Sequence, residues 1–599
     1  MNILLVLPRV FANLDEPEHF PVGMAYVSSC LKRAGHNVSI LNLNFVKGDV
    51  KCLIEECIKN NKIEIVETGG LVTNYWLLKE IVDSVKEIDE SIYTLVGGGY
   101  VTGDPELAMK ALPNADFGVF GEGEITNCEV SRAIDGEIKF AQVDGLIYRA
   151  RIENKNWQGD FDECIKNSPR EEIKDLDSIP WPDYEGFQLD KMLEYAPKRY
   201  LTMSTGRSCK FRCTFCFHTS GQTYRQRSLN SFFEELDYVV DKYGIDNIYI
   251  TDELFADDFE RLNEFCSRIK RYNILWAIQL RVNIVTRELL QLLKDSGCII
   301  ISFGLESADN TVLRSMRKGI TIEMIENALK CSYEVGIEAH GSFIFGDIAE
   351  NKDSVNNTIK WWREHREYNI NLALIQVYPG TYLYKYACDN GIIKDKVEFI
   401  QKGCPYINVS QLSDEEYFEL GLRLKNENSV TRLDLDNVHI TKKMKNRLDI
   451  VSKCKNCEND VIGRRCSVSM PTVLKCAGCG NEYTFNPFVF YKNNVEKNLK
   501  HIVDNSSKIA FWGCNDVFAA LYRAIPIMKE SLYSVIDSNN IMHNQMFFGH
   551  KICDESILES DEFDTVIVCD FFFNTYVMNY IETRYKNKKV ISSATLINN

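Results

Sequence analysis

No run of apolar residues in this sequence approaches the eighteen or so that a helix needs to cross a bilayer, so no membrane span is expected. The amino terminus, Met1-Asn-Ile-Leu-Leu-Val-Leu-Pro8, lacks the basic start of a signal peptide, and Pro8 ends its short apolar stretch. It reads as a first buried strand. Positive charge is also scarce. The 69 Lys and Arg face 85 Asp and Glu, a net charge of −16, which argues against general affinity for nucleic acid or anionic membrane. Cysteine is plentiful, at 21 residues. Without a secretion signal these read as thiols in a reducing cytoplasm, where clustered thiols point to metal or catalysis. Apolar residues at 45% and charged residues at 26% are the balance of a folded chain, and 599 residues predict three or four domains.

Over residues 1–150 short apolar runs alternate with amphipathic stretches. Ile3–Leu7, Asn37–Leu43 and Tyr93–Val96 read as strands, with helices over Met24–Ala34 and Leu77–Ile88. This pattern predicts a parallel sheet with crossover helices, which binds ligands at the carboxyl ends of its strands. Those ends carry Glu67-Thr68-Gly69-Gly70, Gly97-Gly98-Gly99 and Gly121-Glu122-Gly123-Glu124, where glycine lets backbone approach a bulky ligand. Plain tight turns are the competing reading. Residues 151–199, with Ile179-Pro180-Trp181-Pro182, read as an extended linker. From 200 to 393 strand–helix alternation resumes, with strands at Ile248–Ile250, Trp276–Leu280, Ile299–Phe303, Ala339–Phe345 and Leu372–Val377. Repeated units of this kind predict a full or partial β/α barrel with its site at the strands' carboxyl ends. Residues 394–450 are expected to be a charged helical extension, 451–490 a compact cysteine-rich segment, and 491–599 a return to α/β.

The sharpest local feature is Cys209-Lys-Phe-Arg-Cys213-Thr-Phe-Cys216, just after the expected strand Tyr200–Ser204. Three thiolates on one loop can bind three irons of a cubane cluster and leave the fourth iron open for chemistry. A zinc site completed by His218 is the alternative.

With an aromatic residue before the last cysteine, this C-x3-C-x2-C loop resembles the radical S-adenosylmethionine enzymes. The likeness continues through Tyr224-Arg-Gln-Arg-Ser228, Ile250-Thr-Asp252-Glu253-Leu-Phe255, Leu280-Arg281-Val-Asn283, Gly297-Cys298, Phe303-Gly304-Leu-Glu306-Ser307 and Tyr378-Pro379-Gly380-Thr381. Phe345-Gly346-Asp347-Ile348-Ala349-Glu350-Asn351 departs from the usual Phe-Gly-Leu-Pro-Gly-Glu-Thr. The resemblance implies a 4Fe–4S cluster on Cys209, Cys213 and Cys216, and reductive cleavage of S-adenosylmethionine to a 5′-deoxyadenosyl radical. It implies that Phe215 meets the adenine through its backbone. Asp252, Glu253, Arg281, Gly304 and Glu306 become candidate contacts to S-adenosylmethionine.

The first 150 residues resemble the cobalamin-binding domains of cobalamin-dependent radical enzymes, through Phe20-Pro21-Val-Gly23-Met-Ala-Tyr26, Ala34-Gly35-His36-Asn-Val38, the Gly97–Gly99 and Gly121–Thr126 stretches, Asp144-Gly145-Leu146-Ile-Tyr148 and Leu176-Asp177-Ser-Ile179-Pro180. Candidate cobalamin contacts are Thr68, Gly69, Gly97, Gly98, Gly99, Gly121, Glu122 and Gly123. No Asp-x-His-x-x-Gly motif is present, and neither His19 nor His36 has that context, so cobalamin is expected without a lower histidine ligand.

Toward the carboxyl end, Cys454-Lys-Asn-Cys457 and Cys476-Ala-Gly-Cys479, with Gly480 at the second turn, form C-x2-C-x18-C-x2-C. Two such pairs suit a closed structural zinc in a zinc ribbon, with an auxiliary iron–sulfur cluster using Cys466 as the rival. Trp512-Gly513-Cys514-Asn515-Asp516-Val517 and Asp537 suggest a Rossmann-like module lacking a full dinucleotide fingerprint. Cys266, Cys298 and Cys331 read as small buried hydrophobes and His340 as a core histidine. The fold expected is multidomain α/β: a Rossmann-like cobalamin-binding-type domain, a partial radical barrel, a zinc ribbon and a small Rossmann-like domain. The function expected is radical C-methylation, or another radical modification, of a biosynthetic small molecule. A flavodoxin- or ferredoxin-type reductant is the expected partner, with no nucleic acid and no membrane. The alternatives are a radical enzyme whose first domain is empty, and a non-catalytic sensing or RNA-binding module.

Overall fold

The computed structural model describes residues 1–9, 20–46, 48–153, 160, 162–195, 199–256, 258–365, 368–430, 433–443, 447–468, 471–479, 481–531, 533–537, 543–544, 546–569 and 574–597. His19 and Gly480 lie outside them. The chain forms two compact units, one holding the described residues up to Leu412 and the other beginning at Ser413.

The first unit starts with a seven-stranded sheet. In chain order its strands are β1 (Asn2–Leu7), β2 (Asn37–Asn42), β3 (Ile65–Gly69), β4 (Tyr93–Gly97), β5 (Phe117–Val119), β6 (Leu146–Arg149) and β7 (Cys164–Lys166), and in space they run β2-β1-β3-β4-β5-β6-β7. β1 to β5 are parallel, whereas β6 and β7 turn back antiparallel. The sheet therefore extends beyond the expected boundary at residue 150, because the turn-back needs no crossover helix. Ile3, Leu4, Leu5 and Val6 are all buried, as expected of a parallel strand covered on both faces.

A second sheet follows, made of β8 (Tyr200–Met203), β11 (Asn247–Ile250), β12 (Leu275–Leu280), β13 (Cys298–Glu306), β14 (Glu338–Phe345) and β15 (Asn369–Leu374). The short strands β9 (Gly206–Arg207) and β10 (Arg225–Gln226) form a separate antiparallel pair after β8. All six long strands are parallel, in the order β15-β14-β13-β12-β11-β8, a barrel-like sheet that stays open. The helices between them carry local start and stop signals. Ser228 caps Leu229–Tyr243 by accepting from the Ser231 amide at 3.1 Å, and Gly244 ends that helix with φ 60°. β15 lies three residues earlier than Leu372–Val377, because Asn369 to Leu374 pair with β14 in register while Tyr378-Pro379-Gly380 forms the following turn. His340 on β14 pairs with Glu338 at 2.9 Å and keeps 42% of its side-chain surface, so it is not a core histidine.

Both sheets of this unit share one core, which joins Tyr75, Tyr100 and Leu107 to Val377, Leu383 and Phe399. Each such buried side chain contributes roughly 1.5–3 kcal/mol, enough in sum to hold the two sheets as one body.

In the second unit, Asp414–Val430 is a helix, but the described residues of 433–443 and 447–450 are not. Strands His439–Lys443, Arg447–Lys453 and Asp460–Ser467 form an antiparallel sheet, and Leu433–Asp434, Thr472–Lys475 and Glu482–Phe485 form a mixed one, in which Leu433–Asp434 runs parallel to Glu482–Phe485. Ile440, Ile450 and Val451 favour a pleated surface over a helix, and pairing with β-rich neighbours decides the outcome. Ile509–Trp512 lies between Tyr533–Ile536 and Thr565–Val568 in a mostly parallel sheet completed by His550–Cys553, Lys589–Ser592 and the edge strand Met546–Phe547. Asp537, at one strand end, accepts from the Cys514 amide at 2.8 Å.

Candidate active site

The cysteine loop leaves β8 through β9, whose pairing with β10 closes the loop at its base. Ser208 takes left-handed backbone (φ 63°), and its hydroxyl donates to Gly221 O at 2.7 Å. The Arg212 guanidinium donates to the Cys209 carbonyl at 2.7 Å and the Phe211 carbonyl at 2.8 Å. Across the site, the turn Met316–Lys318 grips the loop. Thr214 N donates to Met316 O at 3.0 Å, and Cys213 Sγ lies 3.9 Å from Arg317 O. Leu383 N donates to Thr214 O at 3.1 Å from the other side. Cys213 is buried, and its pKa is lowered because Cys216 donates to it and the Lys318 and Arg281 charges favour the thiolate over the opposing cost of burial. Burial raises that of Cys209.

The candidate S-adenosylmethionine contacts separate into two groups. Arg281, following β12, places its guanidinium 3.6 Å from the centre of the Phe211 ring and donates to the Lys318 carbonyl. Glu306, at the end of β13 with φ 66°, accepts from Lys318 Nζ at 2.6 Å. A Cβ on Gly304 would sit 2.3 Å from that ammonium, so glycine makes room for it. Lys318 Nζ also lies 5.8 Å from the Phe215 ring centre. Arg281, Gly304, Glu306 and Phe215 thus converge beside the cysteine loop. Asp252 and Glu253 do not join them. Asp252 is fully buried and accepts from Ser204 Oγ at 2.9 Å, from Thr205 N at 2.8 Å and from the Thr205 hydroxyl. Burial pushes its pKa up to about 6 against those hydrogen bonds. Glu253 meets His218 Nδ1 at 2.8 Å, which leaves the buried His218 Nε2 without a partner among the described residues.

The glycine loops of the first sheet face this region. Gly70 N donates to Gly97 O at 3.4 Å and Tyr100 N to Gly70 O at 2.9 Å, so the loops after β3 and β4 lock together. Gly98, at φ 78°, has no space for a Cβ, which would come 2.9 Å from Gly70 O. Phe217 of the cysteine loop fills the gap between Gly99 and Gly380, where added Cβ atoms would approach its ring to 3.1 and 2.7 Å. Gly121 is different: it has φ 79°, and nothing lies within 4 Å of its Cβ position. Its amide donates to the Thr102 hydroxyl at 3.1 Å. Gly123 begins a helix with Asn127 nearby, and Thr68 Oγ1 donates to Val6 O at 2.9 Å.

The Glu122 side chain lies in an ion-pair network. Its carboxylate is buried among Arg207 Nη1 at 2.6 Å, Arg225 Nη1 at 2.8 Å and the Ile173 amide at 2.7 Å, and Glu124 meets the other Arg207 nitrogen. The acid that sequence reasoning placed on cobalamin instead ties the first sheet to the base of the cysteine loop. Arg207, Lys318 and Phe217 were not singled out from sequence. Arg207 and Phe217 adjoin the cysteine motif, which was the available signal; Lys318 had none.

In the second unit Cys454, Cys457, Cys476 and Cys479 bring their Sγ atoms within 4.8 Å of one another, the only such group among the described residues. Cys454 Sγ lies 3.4 Å from Cys479 Sγ, and Cys457 Sγ 3.5 Å from Cys476 Sγ. The Tyr483 hydroxyl is 3.1 Å from Cys454 Sγ and accepts from Lys455 N at 2.9 Å. Cys466 is buried nearby. No helix among the described residues is long and apolar enough to cross a membrane.

Family models match twice: the radical SAM superfamily over residues 203–361 and the B12 binding domain over residues 9–131. An uncharacterized methyltransferase of Pyrococcus horikoshii is 30% identical over 400 residues, covering 66% of this chain and 84% of its own. The cytidylyl-2-hydroxyethylphosphonate methyltransferase of Streptomyces wedmorensis is 27% identical, covering 55% of this chain and 69% of its own. The fold is that of the radical S-adenosylmethionine methyltransferase TsrM of Kitasatospora setae with cobalamin and a [4Fe-4S] cluster bound (TM-score 0.54, 19% identity, 65% of this chain and 75% of that one). It is also that of the cobalamin-dependent radical enzyme OxsB with aqua-cobalamin and S-adenosylmethionine bound (TM-score 0.53, 18% identity, 84% and 68%). A cysteine loop at the mouth of a parallel barrel, with a glycine rim from a B12 fold against it, agrees with both matches: this chain belongs to the B12-binding-domain radical SAM enzymes, the family of the cobalamin-dependent radical methyltransferases, which use a 4Fe–4S cluster, S-adenosylmethionine and cobalamin.

Proposed function

We propose that this enzyme C-methylates a biosynthetic small molecule, with Cys209, Cys213 and Cys216 holding the 4Fe–4S cluster and the loops at Gly69, Gly97–Gly99 and Gly121 holding cobalamin. The observation that carries the reading is Phe217, packed between Gly99 and Gly380, which gives the cysteine loop and the glycine rim a common wall. The donor sets fit their groups. Three thiols on one short loop match in number the three irons that a cubane cluster offers to protein ligands while its fourth stays open. The open space at Gly121 suits a broad corrinoid, and the sequence offers no Asp-x-His-x-x-Gly motif for a lower ligand. When bound, the cluster with S-adenosylmethionine supplies a radical, and cobalamin supplies a transferable methyl group.

The chain's own part is to orient and to exclude water. Arg281, Glu306 and Gly304 line the loop's open side and are proposed S-adenosylmethionine contacts, with the Phe215 backbone at the adenine. Asp252 is proposed to act at one remove, by holding Ser204 and Thr205 at the end of β8. Glu253 holds His218.

The four carboxyl-terminal cysteines are proposed to bind one zinc ion as a zinc ribbon. Sulfurs about 2.3 Å from one tetrahedral ion lie about 3.8 Å apart, close to the 3.4 and 3.5 Å separations here and too tight for a cubane. The sheet around Ile509–Trp512 is proposed to be a Rossmann-like module. A flavodoxin- or ferredoxin-type protein is the proposed electron donor, and 21 free thiols favour a cytoplasmic setting.

The test is anaerobic reconstitution with iron, sulfide and hydroxocobalamin, followed by S-adenosylmethionine and dithionite. Bound corrinoid together with 5′-deoxyadenosine supports the reading. Cleavage without corrinoid retains the radical enzyme and removes methylation through cobalamin; an intact, reducible cluster that cleaves nothing refutes both.

A further inference from the structure

We infer that Lys318 sets the charge of the cluster site, its buried ammonium favouring the reduced, more negative cluster, with Glu306 as the opposing half of the pair. The inference rests on the reading that Cys209, Cys213 and Cys216 hold the cluster.

Three observations carry it. The turn containing Lys318 is bound to the cysteine loop at two successive residues, where Met316 O takes the Thr214 amide and Arg317 O faces Cys213 Sγ, while Lys318 O takes the Arg281 guanidinium from the end of β12. Arg317 and Gly319 reach this arrangement through left-handed backbone at φ 54° and 67°, and for Arg317 that conformation is unfavourable. The ammonium is then directed inward. The Lys318 side chain is only 8% exposed, its Nζ occupies the space left by Gly304, and it approaches the Phe215 ring between Cys213 and Cys216. Finally, Glu306 is itself about nine-tenths buried, so the pair is poorly screened by water. Burial opposes the charge on Lys318, but Glu306 and Cys213 outweigh it and keep the amine protonated.

One electron added to a cluster increases its negative charge by one unit. A fixed cation in a dry site lowers the energy of that state, and a fixed anion raises it. Removing Lys318 and removing Glu306 therefore move the cluster in opposite directions. A residue that only packs the loop would shift both the same way or neither.

The experiment is a redox titration of the reconstituted full chain without S-adenosylmethionine, reading the reduced cluster by electron paramagnetic resonance and quantifying iron in each sample. Lys318→Met is expected to lower the equilibrium constant for reduction at least tenfold, 59 mV for a one-electron couple. Glu306→Gln is expected to raise it, and Lys318→Arg to stay near wild type. Shifts of the same sign, or shifts under twofold with iron retained, overturn the inference. If Lys318→Met loses its iron, Glu306→Gln decides, and an unmoved potential there is equally fatal. A wild-type chain that assembles no cluster on these cysteines defeats the underlying reading instead, and this inference with it.

Discussion

Arg207 donates to Glu122 at 2.6 Å across 85 residues of chain, joining the strand that feeds the cysteine loop to the loop after β5 in the B12-binding domain. Arg225 shares the same carboxylate, and all three side chains are mostly buried. Glu122→Ala leaves two buried guanidiniums facing the gap. The expected loss is about 3–5 kcal/mol, read as a fall in the unfolding midpoint of the first unit, together with lower iron loading. A variant as stable as wild type would mean the network carries no net stabilisation.

Iron and zinc are expected to separate by mutation. Cys213→Ala should abolish the cluster's iron and 5′-deoxyadenosine formation while zinc stays at one ion per chain. Cys476→Ser should do the reverse. Metal analysis of both variants checks this, and loss of iron in both would favour an auxiliary cluster at the second site.

Gly99→Val should weaken corrinoid binding before it affects the cluster. The added side chain meets Leu71 and the Phe217 ring, each 3.1 Å from the Cβ position, and overpacking of this kind costs about 1–3 kcal/mol. The expected result is roughly tenfold or greater loss of corrinoid affinity by visible titration, with iron content retained.

The pH dependence of stability should carry a contribution from Glu67. This carboxyl is buried on β3, where burial raises its pKa to about 8 against the hydrogen bond from Asn127. The folded state therefore keeps a proton that the unfolded chain releases above about 4.5. Stability falls as pH rises from there through about 8, by about 1.4 kcal/mol per pH unit at most for one proton, and levels off above. Glu67→Gln should lack that slope. Parallel slopes for wild type and variant between pH 5 and 8 would rule the assignment out.

Much of the fold could be read along the chain. The buried runs of β1, β4, β11 and β12 and the helices between them follow from local periodicity, because a parallel strand covered on both faces is mostly apolar. The antiparallel β6 and β7 and the strands Leu433–Asp434, His439–Lys443 and Arg447–Lys453 were not legible. β6 is buried but only four residues long, and strands so short owe their conformation to neighbours rather than to their own residues. The same division holds at the site. Gly98 reads from sequence as a place where backbone approaches a ligand, whereas the close approach in the structure is to Gly70, the packing of a tight turn. Asp252 and Glu122 were read as ligand contacts, because nothing in a sequence distinguishes a carboxylate that faces a ligand from one already held by its neighbours.

What the sequence determined by itself is the donor chemistry: three thiols on one loop, four in two close pairs, and glycines at the ends of strands. These spacings are short, so the covalent chain enforces them. What only the tertiary structure decided is what surrounds those donors. Cys213 meets Arg317 across 104 residues, Arg207 meets Glu122 across 85, and Phe217 reaches both Gly99 and Gly380. Contacts at that separation depend on strand order and on a core shared by two sheets, which form only when the whole unit packs.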